Sequence, residues 1–134
     1  MSENSVRLIS PGSMHKPVGY SHVAKAGEGK AVFIAGQVAL DASGNLVGEG
    51  DFRAQARQVF ENLKSAVEAA GGIFADIVKL NVYLADVSRL PEYREVRDRY
   101  IDVRNPPAST AVQVVALFRP EFLIEVEAVA VVGQ

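Results

Sequence analysis

Residues 77–84 read Ile-Val-Lys-Leu-Asn-Val-Tyr-Leu. Successive side chains on a strand point to opposite faces, so Val78, Leu80, Val82 and Leu84 face one way, and Ile77, Lys79, Asn81 and Tyr83 the other. A half-buried strand is therefore expected, and it lies between two segments of helical spacing. Upstream, Phe52, Ala56, Val59, Phe60, Leu63, Ala66, Val67 and Ala70 recur at that spacing, with Asp51 as N-cap and Gly71-Gly72 as the stop. Downstream, Ser88 is expected to cap a second helix with Pro91 in its first turn. Its inner face is Leu90, Tyr93, Val96 or Arg97, Tyr100 and Ile101, and Asn105-Pro106-Pro107 ends anything helical.

Further strands are expected at Val6–Ile9, Tyr20–Ala26, Ala31–Leu40, about Thr110–Leu117 and Leu123–Val132. The order β-β-β-α-β-α-β-β predicts a two-layer α+β domain, one sheet with both helices on one face. The chain has 134 residues, 49% hydrophobic and 22% charged, enough apolar material for a core and about the length of one domain, 1–134. The helix-free face would still carry Ile77, Tyr83, Val129, Val131 and, by the same alternation, Val115 and Leu117. A wet face is more polar than this, and covering it with another copy of the chain is the simplest solution.

Composition removes several functions. With no cysteine, disulfide scaffolds, thiol catalysis, zinc–thiolate sites and iron–sulfur clusters are excluded. Only His15 and His22 could offer imidazole to a metal, and they form no His-x-x-x-His pair; no metal or cofactor is expected. The net charge of −2 argues against a nucleic-acid partner. The polar start Met1-Ser2-Glu3-Asn4 is not a leader, no apolar stretch would cross a bilayer, and the expectation is a soluble cytoplasmic protein.

The last strand holds the most informative polar pair. Glu125 and Glu127 are two apart and share the helix-free face. Near an apolar contact, a carboxylate finds a donor or its pKa rises, and a raised carboxyl can exchange a proton with water. The alternative is that one or both pair with Lys79 or an arginine, or simply reach solvent. Other patterns are weaker. Gly27-Glu28-Gly29-Lys30 precedes a strand and lacks the helix N-terminus of a phosphate loop. Gly48-Glu49-Gly50 is a fragment of a dinucleotide fingerprint, and no Gly-x-Ser-x-Gly occurs. A lone strand histidine such as His22 is more often structural than catalytic. Arg94, Arg97, Arg99 and Arg104 read mostly as a solvated face, with Glu95 and Arg99 at pairing distance, although one of them could hold a carboxylate.

Taken together, Gly19-Tyr20-Ser21-His22, Phe33-Ile34-Ala35-Gly36-Gln37, the helix around Gln55–Leu63, Ala69-Ala70-Gly71-Gly72, Asp76-Ile77-Val78-Lys79, Pro107-Ala108-Ser109-Thr110 and Ile124-Glu125-Val126-Glu127-Ala128 resemble the RidA family, also known as the endoribonuclease L-PSP family. The resemblance covers nearly the whole chain. It implies a chorismate-mutase-like fold, a homotrimer with clefts between subunits, and cofactor-free hydrolysis of reactive enamines and imines to carbonyl compounds and ammonia. By position it implies that Tyr20 borders the cleft, Gly36 offers its backbone N–H, and Glu125 activates water or relays a proton. One departure stands out: family deaminases read Pro-Ala-Arg-Ser where this chain has Pro107-Ala108-Ser109-Thr110. Losing a two-pronged guanidinium would cost on the order of 2–4 kcal/mol of carboxylate binding. Arg94 is one candidate to supply the cation from another wall, and Ser109 and Thr110 could donate hydrogen bonds. A non-catalytic trimer that binds a small metabolite is the alternative. RNA cleavage fits least, for want of a basic aromatic surface or a histidine pair.

Overall fold

The computed structural model describes residues 6–133. Its elements are β1 Arg7–Ile9, β2 Val23–Lys25, β3 Lys30–Gln37, α1 Phe52–Ala69, β4 Ile77–Leu84, α2 Leu90–Arg97, β5 Ala108–Gln113 and β6 Ile124–Val132, with single 3-10 turns at Phe74–Asp76 and Val87–Arg89. This is the α+β order expected from the sequence.

The main sheet has the strand order β3-β6-β4-β5. β6 lies antiparallel to both β3 and β4, whereas β5 runs parallel to β4. A parallel pair needs a crossover, and α2 provides it. β1 and β2 pair only with each other, so the expected single sheet is divided. One parallel bridge, Ser21 to Ala108, ties that N-terminal ribbon to the β5 edge. The breakers around Pro17 and Gly19 hold the chain irregular there, which is why β2 is shorter than the predicted Tyr20–Ala26.

α1 forms where its apolar spacing predicts. The Asp51 side chain accepts from the Ala54 N–H at 3.1 Å, a cap worth about 1 kcal/mol. The helix ends at Ala69, and Gly71 turns the chain away at φ 90°. Phe52, Ala56, Val59, Phe60, Leu63 and Val67 pack on Ile124, Val126, Ala128, Ala130 and Val132 of β6 and on Leu80, Val82 and Leu84 of β4. Gln55 is buried within this apolar layer because all its amide groups are used. Its Nε2 donates to the carbonyls of Gly48 and Glu121, and its Oε1 accepts from Leu123 N–H.

Three local expectations change. Ser88 does not cap α2; Asp86 accepts from the Ser88 N–H and hydroxyl and so caps the preceding 3-10 turn, and α2 follows without a side-chain cap. The helix ends at Arg97, leaving Tyr100 and Ile101 beyond it, although Tyr100 still stacks on Phe60 at 5.1 Å. Ile77 joins the core because the β4–β6 register shifts between Ile77 and Lys79, and a bulge moves a side chain to the other face.

The helix-free face is also smaller than expected. β5 ends at Gln113, so Val115 and Leu117 lie outside the sheet, and Val131 is buried beside Gly29. Phe33, on β3 opposite Val129, is 79% exposed, and Val112 of β5 is also exposed. Among the described residues, no helix is long and apolar enough to cross a membrane.

Candidate functional site

The expected site residues gather in two places. The first is on the helix-free face, where β3 meets β6. Ile34 pairs with Ala128 and Gln37 with Val126, so the extra residue between them forms a bulge at Ala35-Gly36. The bulge sets Gly36 against the Glu125 carboxylate, which occupies the space a Cβ would need. Gly36 is therefore required by close approach rather than by its backbone angles.

Glu125 and Glu127 share this face but not their surroundings. Tyr83 donates its hydroxyl to Glu127 Oε1 at 2.9 Å, and Asn81 Nδ2 donates to Oε2 at 3.5 Å. The bond to Glu127 is also the first cause that raises the Tyr83 pKa. No hydrogen bond or ion pair joins the Glu125 side chain to another described residue. Burial holds its pKa above the usual carboxylate value, and the charge of Glu127 adds to the shift. Lys79 does not reach either glutamate; its Nζ donates to Thr110 Oγ1 at 3.0 Å. Of the expected site residues, Thr110 thus lies on this face beside Lys79, with β4 and β6 between it and Gly36.

The second place is a recess of about 230 Å³ between α2 and the edge of β5, lined by Tyr20, Tyr93, Arg94, Arg97 and Ser109 among others. Tyr20, Arg94 and Ser109 thus come together, as a group separate from Gly36 and Glu125. Tyr20 also borders a wider recess of about 540 Å³ formed with the N-terminal segment and the Val103–Pro106 bend. There its hydroxyl and His15 Nε2 lie 2.9 Å apart, while His22 Nε2 donates to the His15 carbonyl at 2.8 Å. His22 is thus tied into the N-terminal segment.

One of the arginines departs from a solvated face, and the expected Glu95–Arg99 pair does not form. Glu95 pairs with Arg53 of α1 at 3.2 Å rather than with Arg99. Arg97 is buried, 6% exposed, and both its Nε and Nη2 meet Asp98 Oδ1, at 2.9 and 2.8 Å. The sequence carried one signal for this: Arg97 and Val96 competed for the same inner position of α2. For Tyr83 and Asn81 the alternation gave the face but not the partner, because contact with Glu127 depends on register across strands. Among the described residues, no group of three or more His, Asp or Glu could hold a metal ion.

Comparison with known proteins agrees with this architecture. A RutC family protein of Pyrococcus horikoshii is 41% identical over 116 residues, 86% of this chain and 89% of that protein. The 2-iminobutanoate/2-iminopropanoate deaminase of Dermatophagoides farinae is 29% identical over 127 residues, 94% of this chain and 96% of the relative. The crystal structure of YyfB from Yersinia pestis, a protein of unknown function in the conserved Rid family, superposes with a TM-score of 0.88 at 37% identity, covering 97% of this chain and all of that one. The endoribonuclease L-PSP family pattern matches residues 13–132, and the chain belongs to this family, the Rid proteins.

Proposed function

We propose that the protein is a hydrolytic deaminase of small reactive enamines and imines, working in clefts between the subunits of a homotrimer. The observation that carries this reading is the Glu125 carboxylate at the Gly36 bulge, unpaired, next to a Glu127 already held by Tyr83 and Asn81. Two carboxylates in different surroundings can take different tasks. Glu127 orders the face, and Glu125 moves the proton.

The chemistry asks little of the protein. An imine carbon is already electrophilic. Water adds to it, forming the C–O bond while the C=N π pair moves to nitrogen, and Glu125 takes the proton that water releases. Glu125 then returns this proton to the nitrogen. Glu125 then carries the remaining proton of the former water oxygen to the same nitrogen, the C=O bond forms as the C–N bond breaks, and ammonia leaves with the bonding pair. The Gly36 N–H fixes the substrate by a backbone hydrogen bond. A raised pKa suits Glu125 to a step that needs both uptake and release.

The assembly follows from the sheet. Phe33 is 79% exposed on the helix-free face, and a neighbouring subunit that covers it removes apolar surface from water. Within one chain the Tyr20–Arg94–Ser109 recess and the Gly36–Glu125 corner are separate, and packing copies around the sheet brings one subunit's recess to the other's carboxylate. Thr110 lies on the face that is covered. Arg94 then supplies a cation in place of the guanidinium absent at Ser109. The kinship with a 2-iminobutanoate/2-iminopropanoate deaminase supports the reaction class.

The test is direct. A pyridoxal-phosphate-dependent dehydratase generates 2-aminoacrylate or iminobutyrate in situ, and 2-keto acid release is followed with and without this protein. Acceleration that disappears in Glu125→Ala supports the reading. A trimer that accelerates no imine hydrolysis would favour the second reading, a small-metabolite binder, for which the neutral Ser109 is the specific observation.

A further inference from the structure

We infer that Glu127 is a positioning residue: it takes the Tyr83 hydroxyl, which strand register sets opposite Glu125, and so keeps the Glu125 carboxylate clear of donors and fit to carry a proton. This deepens the reading above and rests on it only for the link to turnover.

Strand register makes the observed pairing unexpected. β4 and β6 place Tyr83 opposite Glu125 and Asn81 opposite Glu127. Side chains directly across from one another are the nearest, so Tyr83 is the donor that register offers to Glu125. An aromatic side chain also reaches its diagonal neighbour, and here it does: the Tyr83 hydroxyl passes Glu125 by and donates to Glu127 Oε1 at 2.9 Å. The bond to Glu127 is the first cause that raises the Tyr83 pKa, and the charge of Glu125 is the last. The hydroxyl thus stands in the field of both carboxylates and is bonded to one.

The other donors on this face are committed as well. Asn81 Nδ2 reaches Glu127 Oε2 at 3.5 Å, Lys79 Nζ donates to Thr110 Oγ1 at 3.0 Å, and Gln37 Nε2 donates to the Ala35 carbonyl at 3.1 Å. Glu127 collects two donors and Glu125 none. The sheet order β3-β6-β4 shows how two residues of one strand diverge in this way. Glu127 is served from β4, whereas the Glu125 carboxylate lies against Gly36 of β3, which has no side chain to offer. Glu127 and Tyr83 are the titratable groups that face Glu125, since Lys79 is held at Thr110.

A donor changes a base. A hydroxyl bonded to a carboxylate favours the charged form and weakens it as a proton acceptor. With its acceptor at position 127 removed, Tyr83 is free to turn to its register partner. Glu127 therefore acts on Glu125 both as a charge and as the holder of this hydroxyl. The two actions can be separated, because an amide carbonyl still accepts a hydrogen bond and a methyl group does not.

Carboxyl NMR of the full-length protein, labelled at glutamate and titrated with acid, tests the idea without substrate. Glu127→Gln removes the charge and keeps an acceptor; Glu127→Ala removes both. The Glu125 midpoint should fall about one pH unit further in Glu127→Ala than in Glu127→Gln, because the released hydroxyl now bonds it. Adding Tyr83→Phe to Glu127→Ala should return the midpoint to the Glu127→Gln value. In the imine assay, kcat should be about tenfold lower in Glu127→Ala than in Glu127→Gln, and Tyr83→Phe should restore most of the difference. Rescue by deleting a hydroxyl is not the behaviour of a residue that only supports the fold. Glu127→Val, suited to a strand, replaces the alanine variant if that one does not fold. Equal Glu125 midpoints in the two Glu127 variants, or a double variant that matches Glu127→Ala, would overturn the inference. The expected midpoints in a protein that turns over no imine would remove the deaminase reading and keep this one; turnover with equal midpoints would remove only this one.

Discussion

On one face of β6, Ile124, Val126, Ala128, Ala130 and Val132 are sealed against α1. On the other face of the same strand, Glu125 and Glu127 look out beside Tyr83 and Asn81, with Phe33 exposed on the neighbouring β3. The covered face is filled with apolar side chains and one fully bonded amide, Gln55. The uncovered face has polar groups that are only partly matched and an aromatic ring in water. A sheet therefore separates the two tasks by its two-residue period. The apolar packing collects on the closed side, and the partly matched polar groups are left on the open one.

That contrast can be broken from either side. Phe33→Asp puts a charge on the uncovered face without touching the core. We expect it to convert the assembly to monomers and to abolish imine turnover with it, read by light scattering and by keto-acid release. Glu125→Gln should keep the assembly and lower kcat by about 10²–10⁴-fold, the usual contribution of a positioned proton carrier. On the covered face, Gln55→Leu leaves two carbonyls and one N–H without their partner, and should cost about 3 kcal/mol in urea unfolding while leaving kcat of the folded enzyme nearly unchanged.

The smallest effect concerns the pair of glutamates. The base form of Glu125 is the deprotonated one, so activity rises as pH climbs through its pKa. Because burial and Glu127 raise that pKa, the acid limb of kcat/KM should lie above the usual glutamate value. Glu127→Gln removes the like charge and should move the limb down by less than about one pH unit, since burial, the larger cause, remains. The sign for stability is the opposite. A carboxyl whose folded pKa is raised contributes most below the unfolded value, and that contribution is lost as pH rises through the folded one.

Elements with a strong internal period were legible without the fold. α1 and β4 appear where spacing and alternation put them, because each signal is contained in the segment itself. β5 was misplaced toward its C-terminal end: its edge strand is mostly exposed and its residues lack a clear period. Ile77 changed faces because a bulge is a property of two paired strands and is invisible in either one. At the candidate site, the shared face of Glu125 and Glu127 could be read from their spacing. Their unequal surroundings could not, since Tyr83 and Asn81 reach Glu127 from a strand more than 40 residues away in sequence.

The sequence by itself determined the secondary elements, their order and the two characters of each strand, since these depend on residues a few positions apart. Tertiary structure alone decided that Gly36 meets Glu125, that Lys79 goes to Thr110, and that Arg97 is enclosed beside an unpartnered Tyr93 hydroxyl. The reason is range. Periodicity is local, whereas proton transfer depends on distances of a few ångströms between side chains that only strand register and helix packing bring together.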